Sequence, residues 1–366
     1  MNQNRFTALD VFRGMTICFM IIVNTGGNEQ TFAPLLHANW HGFTPTDLVF
    51  PSFLFAVGNA MSFVMPKWAG QSASFVWGKI LKRTLIIFLL GYLMYWFPFV
   101  EHTDAGWALR PFSHTRVLGV LQRIALCYGI ASIMVWYLKP RWVVISSLLF
   151  LVGYKFLLDG FGDYTLEGNA VLKLDKWLMG ADHLYHGEGV AFDPEGWLST
   201  LPSIVNVLVG YLAGKYIQEK GKSYEGLTHL LLAGTLLVAF AYFWDSSFPI
   251  NKKLWTSSFT LYTVGLDLII LSAVIYAIDF QQIRTGSKFF QVFGKNPLFI
   301  YLLSEVGVIL MWEIKVGDKA LYQWIYQNIF DHLGPYWGSL GFALWWMLTC
   351  WLAGYWMDKK KIYVRV

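Results

Sequence analysis

The sequence predicts an all-α, polytopic integral membrane protein with about ten transmembrane helices in one bundle. Three observations carry that prediction. Of 366 residues, 56% are hydrophobic and only 14% charged, against about 25% charged in an ordinary soluble domain. So few polar side chains cannot cover a soluble globule of this size, and lipid is the solvent that fits. The apolar residues are gathered into runs of about 20, the length that crosses roughly 30 Å of hydrocarbon. Lysine and arginine are concentrated in alternate connections, the pattern that orients a membrane protein.

The runs fall near 8–25, 46–66, 80–99, 117–138, 142–159, 198–217, 226–244, 257–279, 289–311 and 338–357. The first carries Asp10 and Arg13, and no small-residue cleavage site closes it. It therefore reads as a retained span rather than a removed leader. Lys139-Pro140-Arg141 makes a tight polar turn between the fourth and fifth runs. With a cytoplasmic N-terminus, the inner segments hold Arg5, Lys67, Lys79, Lys82, Arg83, Lys139, Arg141, Lys215, Lys220, Lys222, Arg284, Lys288 and the terminal cluster from Lys359 to Arg365. The outer segments hold half as many cations, so both ends are expected inside and the number of spans even. The net charge of +5 follows from that orientation, and nucleic acid is not an expected partner. Cys18, Cys127 and Cys350 lie within apolar runs at spacings that suggest neither a disulfide framework nor a metal site.

Three outer connections are long: 26–45, 100–116 and 160–197. His37, His41, His102, His114, His183 and His186 all lie in them, so the outer face is where an active site is expected. The densest group spans the first two runs. Asp10 and Arg13 share a helix face near the inner end and are spaced to pair. Asn24 lies roughly 20 Å further along, at the outer end. His37 follows in the loop, and Asp47 opens the second run. A histidine titrating near neutrality is the natural general base, and a carboxylate can orient it. The same residues admit a plainer account. Asp47, after Thr44-Pro45-Thr46, suits a helix N-terminus, and Asn24 suits a helix end.

Three further groups stand out. Gln122-Arg123 lies two turns into a span, where a charge is expensive and faces a cavity or a partner. It suits a phosphate or carboxylate ligand, or an ion pair with an acid such as Glu305. Lys295-Asn296-Pro297, followed by Tyr301, Ser304 and Glu305, puts polar groups into an apolar helix. Lys295 falls toward the cytoplasmic end, where an anionic cofactor would arrive or where the lysine would snorkel to headgroups. Asp193-Pro194-Glu195-Gly196-Trp197 sets two carboxylates and an indole at the outer surface. They suit a cationic sugar, or an ordinary Pro-Gly turn ahead of a helix.

The Leu9-Asp10-Val11-Phe12-Arg13-Gly14 start and Val23-Asn24-Thr25-Gly26-Gly27 resemble heparan-α-glucosaminide N-acetyltransferase and its bacterial relatives, in a transmembrane acyltransferase superfamily. So does the run from His37, Trp40 and Gly42 into Asp47-Leu48-Val49-Phe50-Pro51. The likeness continues through Gly119–Arg123, Asp193–Gly196, Asn251–Trp255 and Gly294/Asn296, covering nearly the whole chain in order. It implies a single transmembrane acyltransferase domain over residues 1–366. Cytosolic acetyl-CoA, a co-substrate, would donate its acetyl group to the amine of a glucosamine-type acceptor on the outer side, without a metal. The family's essential histidine falls on His37, and its neighbouring asparagine and aspartate on Asn24 and Asp47; His41 does not inherit that role.

On this reading the cofactor-binding residues are Arg123, Gln122, Lys295, Asn296 and Arg13, and the substrate-binding residues are Trp40, Asp193, Glu195 and Glu305. The lysosomal enzyme has a luminal domain and an extra span ahead of this core. The chain therefore resembles a compact bacterial member, with an expected place in the inner membrane and a homodimer suggested by the family. A free amino sugar or a cell-wall fragment is then as plausible an acceptor as a glycosaminoglycan. An amino-sugar permease and an O-acyltransferase of a surface glycan stay open as alternatives.

Overall fold

The computed structural model describes residues 7–103, 106–220 and 222–364. Arg5 and Arg365 of the charge map lie outside the described residues, as does the side chain of His102. Two compact units are present, each gathering separated stretches of chain. Of the described residues, the first takes 7–38, 44–53 and 270–364, and the second takes 39–43 and those within 54–269.

The first unit is built on α1 (Thr7–Asn24), α10 (Ser287–Lys295), α11 (Pro297–Glu313), the short α12 (Leu321–Ile325) and α13 (Pro335–Lys359). It also holds the first turn of α2 (Val49–Val64) and the last turn of α9 (Ser257–Ile275). Helix α1 lies against α10 at backbone contact. A Cβ on Gly14 would stand 1.8 Å from the Phe290 carbonyl oxygen, and one on Gly294 would stand 2.2 Å from that of Asp10. Small residues at such a seam let two membrane helices approach until their backbones touch.

The apolar run 289–311 is not one straight span. The chain turns by 83° between α10 and α11. Asn296 leaves helical geometry (φ −129°, ψ 51°), and Pro297 opens the next helix. Proline is suited to a first helical turn and disfavours helical backbone at the residue before it.

The second unit holds the rest of α2 with α3 (Ala73–Trp96), α4 (Val120–Tyr137), α5 (Pro140–Phe161), α7 (Thr200–Lys220), α8 (Tyr224–Trp244) and most of α9. Glycines again set the closest approach: Gly58 lies against the Val207 carbonyl and Gly210 against that of Phe55. Between α3 and α4 stands a hairpin of β1 (Val100–Thr103) and β2 (Gly106–Leu109). The long connection 160–197 carries the amphipathic α6 (Ala170–Met179), capped by Asn169, whose side chain accepts from the Leu172 amide at 2.8 Å. Beneath it Val171, Leu184, Phe192, Phe248 and Leu254 pack on Tyr154 and Leu158. Leu232, Leu236, Phe240 and Phe243 of α8 are more than half exposed, as expected of side chains facing hydrocarbon.

Every one of the ten apolar runs meets a helix, but ten spans are not established. Among the described residues, six helical segments are long and apolar enough to cross a membrane: Thr7–Asn24, Pro45–Trp68, Val120–Tyr137, Pro140–Phe161, Tyr224–Trp244 and Ser257–Phe280. The bent pair α10–α11 makes a seventh if counted as one span. Helices α3, α7 and α13 are as long but more polar. In α3 the reason is Lys79, Lys82 and Arg83, which lie within the helix rather than in the connection before it. In α7, Ser203 and Asn206 are fully buried. In α13 the composition is rich in tryptophan and glycine. The length and apolarity of these helices make the chain an integral membrane protein.

Candidate active site

In the first unit, α1 ends at Asn24, and a turn at Pro45–Leu48 leads into α2. That turn joins two residues ten apart in sequence. His37 Nδ1 lies 2.7 Å from Asp47 Oδ1. The Asp47 side chain is 1% exposed and that of His37 44% exposed. The other carboxylate oxygen, Oδ2, accepts from the Ala38 amide (3.1 Å), the Thr44 amide (3.0 Å) and the Thr44 hydroxyl (3.1 Å). The Thr44 hydroxyl also reaches the Leu36 carbonyl at 2.6 Å. Asp47 therefore closes the turn, as its position after Thr44-Pro45-Thr46 suggested, and in the same geometry it grips the imidazole. With Nδ1 turned to the carboxylate, Nε2 is the ring nitrogen on the side away from Asp47.

The third expected catalytic residue stands elsewhere in the unit. Asn24 is exposed, and its Nδ2 donates to Glu305 Oε1 at 3.4 Å. An expected catalytic residue and an expected substrate-binding residue are thus brought together, from helices 281 residues apart in sequence. An apolar cavity of about 360 Å³ runs along one face of α1, past Phe12, Thr16, Phe19 and Val23. It ends against Pro34–Leu35 and Pro45–Val49, the segments on either side of His37.

The expected cofactor-binding groups of this unit have protein partners. Arg13 donates to Asp10 (2.8 Å) and to the Gly294 carbonyl (2.8 Å). Lys295 makes two contacts with the Asp358 carboxylate, at 2.8 and 2.7 Å. The Asn296 amide donates to the Ile362 carbonyl (2.9 Å) and accepts from the Val364 amide (2.9 Å), which ties down the tail after α13.

The remaining expected residues belong to the second unit. Trp40 Nε1 donates to the Tyr164 carbonyl at 2.7 Å, and its ring meets Phe192 edge-on. Asp193 and Glu195 converge on Arg116. The guanidinium forks onto Asp193 at 2.8 and 2.6 Å, touches Glu195 at 2.5 Å, and lies between the rings of Tyr95 and Tyr185. Gln122 is fully buried with its amide on the Val117 carbonyl. Arg123, also fully buried, donates to Ser203 (3.0 Å), the Gly196 carbonyl (3.0 Å) and Ser199, and lies over the Trp255 ring. Its partners are neutral oxygens.

Sequence reading passed over several members of these clusters. Arg116, which opens the run to Arg123, is the hub of the Asp193–Glu195 turn. Lys253 bridges Glu188 (2.5 Å) and the Asn39 carbonyl (2.9 Å). His41 lies 3.3 Å from the Asn251 amide, and burial lowers its basicity against the opposing pull of Asp245. Asp175, in α6, accepts from the Trp197 amide at 3.0 Å. Its second oxygen fills the space a Cβ on Gly196 would take, 2.0 Å away. Burial pushes this carboxyl up to about 7.

The family described as heparan-alpha-glucosaminide N-acetyltransferase, catalytic, matches residues 5–242. Human heparan-alpha-glucosaminide N-acetyltransferase is 27% identical, over 99% of this chain and 60% of that protein. The mouse protein of the same name is 26% identical, over 100% of this chain and 61% of its own length. The chain thus spans about 60% of the length of the curated relatives it matches. The matched region contains the His37–Asp47 pair and the Arg116–Asp193–Glu195 hub, and with it this integral membrane chain belongs to the heparan-alpha-glucosaminide N-acetyltransferase family.

Proposed function

We propose that this chain is a transmembrane N-acetyltransferase. It moves an acetyl group from cytosolic acetyl-CoA to the amine of a glucosamine-type sugar on the outer side of the membrane. One transmembrane acyltransferase domain of ten spans, with both termini cytoplasmic, would carry this out in a bacterial inner membrane. The observation that carries the reading is the His37–Asp47 pair: a half-exposed imidazole held at 2.7 Å by a buried carboxylate that three further donors lock in place.

The chemistry needs such a pair. An ammonium has no lone pair for attack on a thioester carbonyl, so the amine must be deprotonated as the N–C bond forms. The thiolate of CoA then leaves and is protonated. Asp47 fixes the ring so that Nε2 accepts, and it stabilises the imidazolium that results. The same nitrogen also suits a two-step route, in which it first takes the acetyl group and then passes it to the amine. Asn24 is the candidate donor to the developing oxyanion, and its partner Glu305 is suited to hold the acceptor's ammonium group. Trp40, Asp193 and Glu195 supply an indole and acids for a cationic sugar. The cavity along α1 has an apolar lining and reaches the two segments beside His37, which suits the pantetheine arm of the donor. Arg13, Gln122, Arg123, Lys295 and Asn296 are the proposed CoA contacts, Arg by fork geometry and Lys as a point charge.

Purified protein in liposomes, with labelled acetyl-CoA on one side and glucosamine on the other, tests the reading. Acetylated sugar on the side opposite the donor is expected from the wild type, and none above background from His37→Ala. Wild-type rates from His37→Ala would overturn the assignment. Glucosamine uptake without acetyl-CoA would point to a permease, and acetyl esters to hydroxyl transfer.

A further inference from the structure

Arg83 lies within α3, and among the described residues no acid pairs with it. Its guanidinium stands 4.6 Å from the centre of the Tyr128 ring on α4, and its Nε is buried without a hydrogen-bond partner. The next side chain, Thr84, has its hydroxyl buried and unpartnered too, against Gly129 of α4. Two orphaned polar atoms, on consecutive residues of α3, thus lie against consecutive residues of α4.

The depth of that level follows from the helices. Trp77 Nε1 donates to the Tyr137 hydroxyl at 2.9 Å where α3 begins and α4 ends. The rings of Trp68 and Trp136 lie close together nearby in sequence. Such an aromatic group marks the membrane–water boundary. Arg83 is six residues beyond Trp77, roughly 9 Å deeper at 1.5 Å per residue. Tyr128 is nine residues back from Tyr137, roughly 13 Å deeper. The guanidinium therefore points inward rather than snorkelling back to the surface. A cation held at that depth without an acid faces a cavity or awaits a partner. Lys79 stands four residues nearer the boundary on the same helix face, so cations mark a path inward.

We infer that Arg83 is a receptor for a phosphate ester, with the Thr84 hydroxyl beside it and Lys79 at its approach. This rests on the acetyltransferase reading, which puts the side of the α2–α3 connection in the cytosol, where the phosphates of CoA would enter. The proposed CoA contacts Lys295, Arg13 and Arg123 each also hold a protein partner, Asp358, Asp10 and a set of hydroxyls and a carbonyl respectively, so Arg83 would act beside them as the cation with no acid of its own among the described residues. The same chemistry is offered by an anionic phospholipid headgroup.

The test uses the full-length protein in nanodiscs, with Arg83→Gln and Arg83→Lys variants. CoA binding by calorimetry is measured first in phosphatidylcholine. If the phosphate is that of CoA, Arg83→Gln weakens binding about 10- to 100-fold, and Arg83→Lys restores part of it. The KM for acetyl-CoA rises accordingly, while that for acetyl-pantetheine, which lacks the phosphates, is unchanged. If the phosphate is a headgroup, CoA binding is equal in all three proteins. Phosphatidylglycerol then raises the melting temperature of the wild type and Arg83→Lys but not of Arg83→Gln. Equal CoA binding together with equal lipid response overturns the inference and leaves the acetyltransferase reading intact. A wild type that binds no CoA and shows no lipid response overturns both.

Discussion

His37 and Asp47 lie ten residues apart, on opposite sides of a turn, with their side chains in contact at 2.7 Å. The Asp47 carboxylate also receives the Ala38 and Thr44 amides, so the loop that displays the imidazole is tied to the acid that orients it. Neither residue can shift without dissolving the turn.

Asp47→Asn preserves shape but gives the Nδ1 partner a donor of its own, which favours the wrong tautomer at His37. Acetyl transfer is expected to fall about 10²- to 10⁴-fold. Asp47→Ala should lose activity to the same degree and lower the melting temperature as well, because the amides of Ala38 and Thr44 lose their acceptor. Rates and thermal denaturation of the two variants separate the effects.

Arg116 neutralises two acids, one of them fully buried, so its removal leaves uncompensated charge in the protein interior. Arg116→Ala is expected to destabilise by about 3–5 kcal/mol. Arg116→Lys, which loses the fork onto Asp193 but keeps the charge, should cost less. Detergent-solubilised protein followed by thermal or denaturant unfolding measures the difference.

Asp175 carries a pH signature. Burial raises this carboxyl to about 7, the Trp197 amide partly opposes the rise, and Asp193 adds to it. Its ordinary value is 3.8, so between these pH values the folded protein binds a proton that the unfolded chain has released. Asp175 therefore favours folding most at low pH, and that contribution is lost as pH rises toward 7. Asp175→Asn removes the titration. The melting temperature of the variant minus that of the wild type should increase from pH 5 to pH 8, and a constant difference would refute the account.

Gly14 and Gly78 provide a matched pair in two helices. A methyl group on Gly14 collides with the Phe290 carbonyl, whereas one on Gly78 meets open space. Gly14→Ala is expected to destabilise by about 1–3 kcal/mol, and Gly78→Ala to be neutral or slightly stabilising. Melting temperatures of the two variants decide it.

The apolar runs, the polar residues placed among them and the family were all legible in the chain, because lipid imposes helix length and composition on any sequence that crosses it. The spacing of Asp10 and Arg13 foretold their contact, since three residues along a helix return to the same face. What tertiary structure decided was partnership. Nothing local says that Asn24 meets Glu305, that Lys295 belongs to Asp358, or that Arg123 takes serine hydroxyls rather than an acid. Those contacts join residues 63 to 281 positions apart in the chain. The same holds for the bend of α10 on α11: the sequence reads 289–311 as one span, and the 83° turn within it depends on what packs on either side. Composition sets where a helix lies relative to lipid, while the rotation of each helix, and so the neighbour that each buried polar group finds, is settled only by packing.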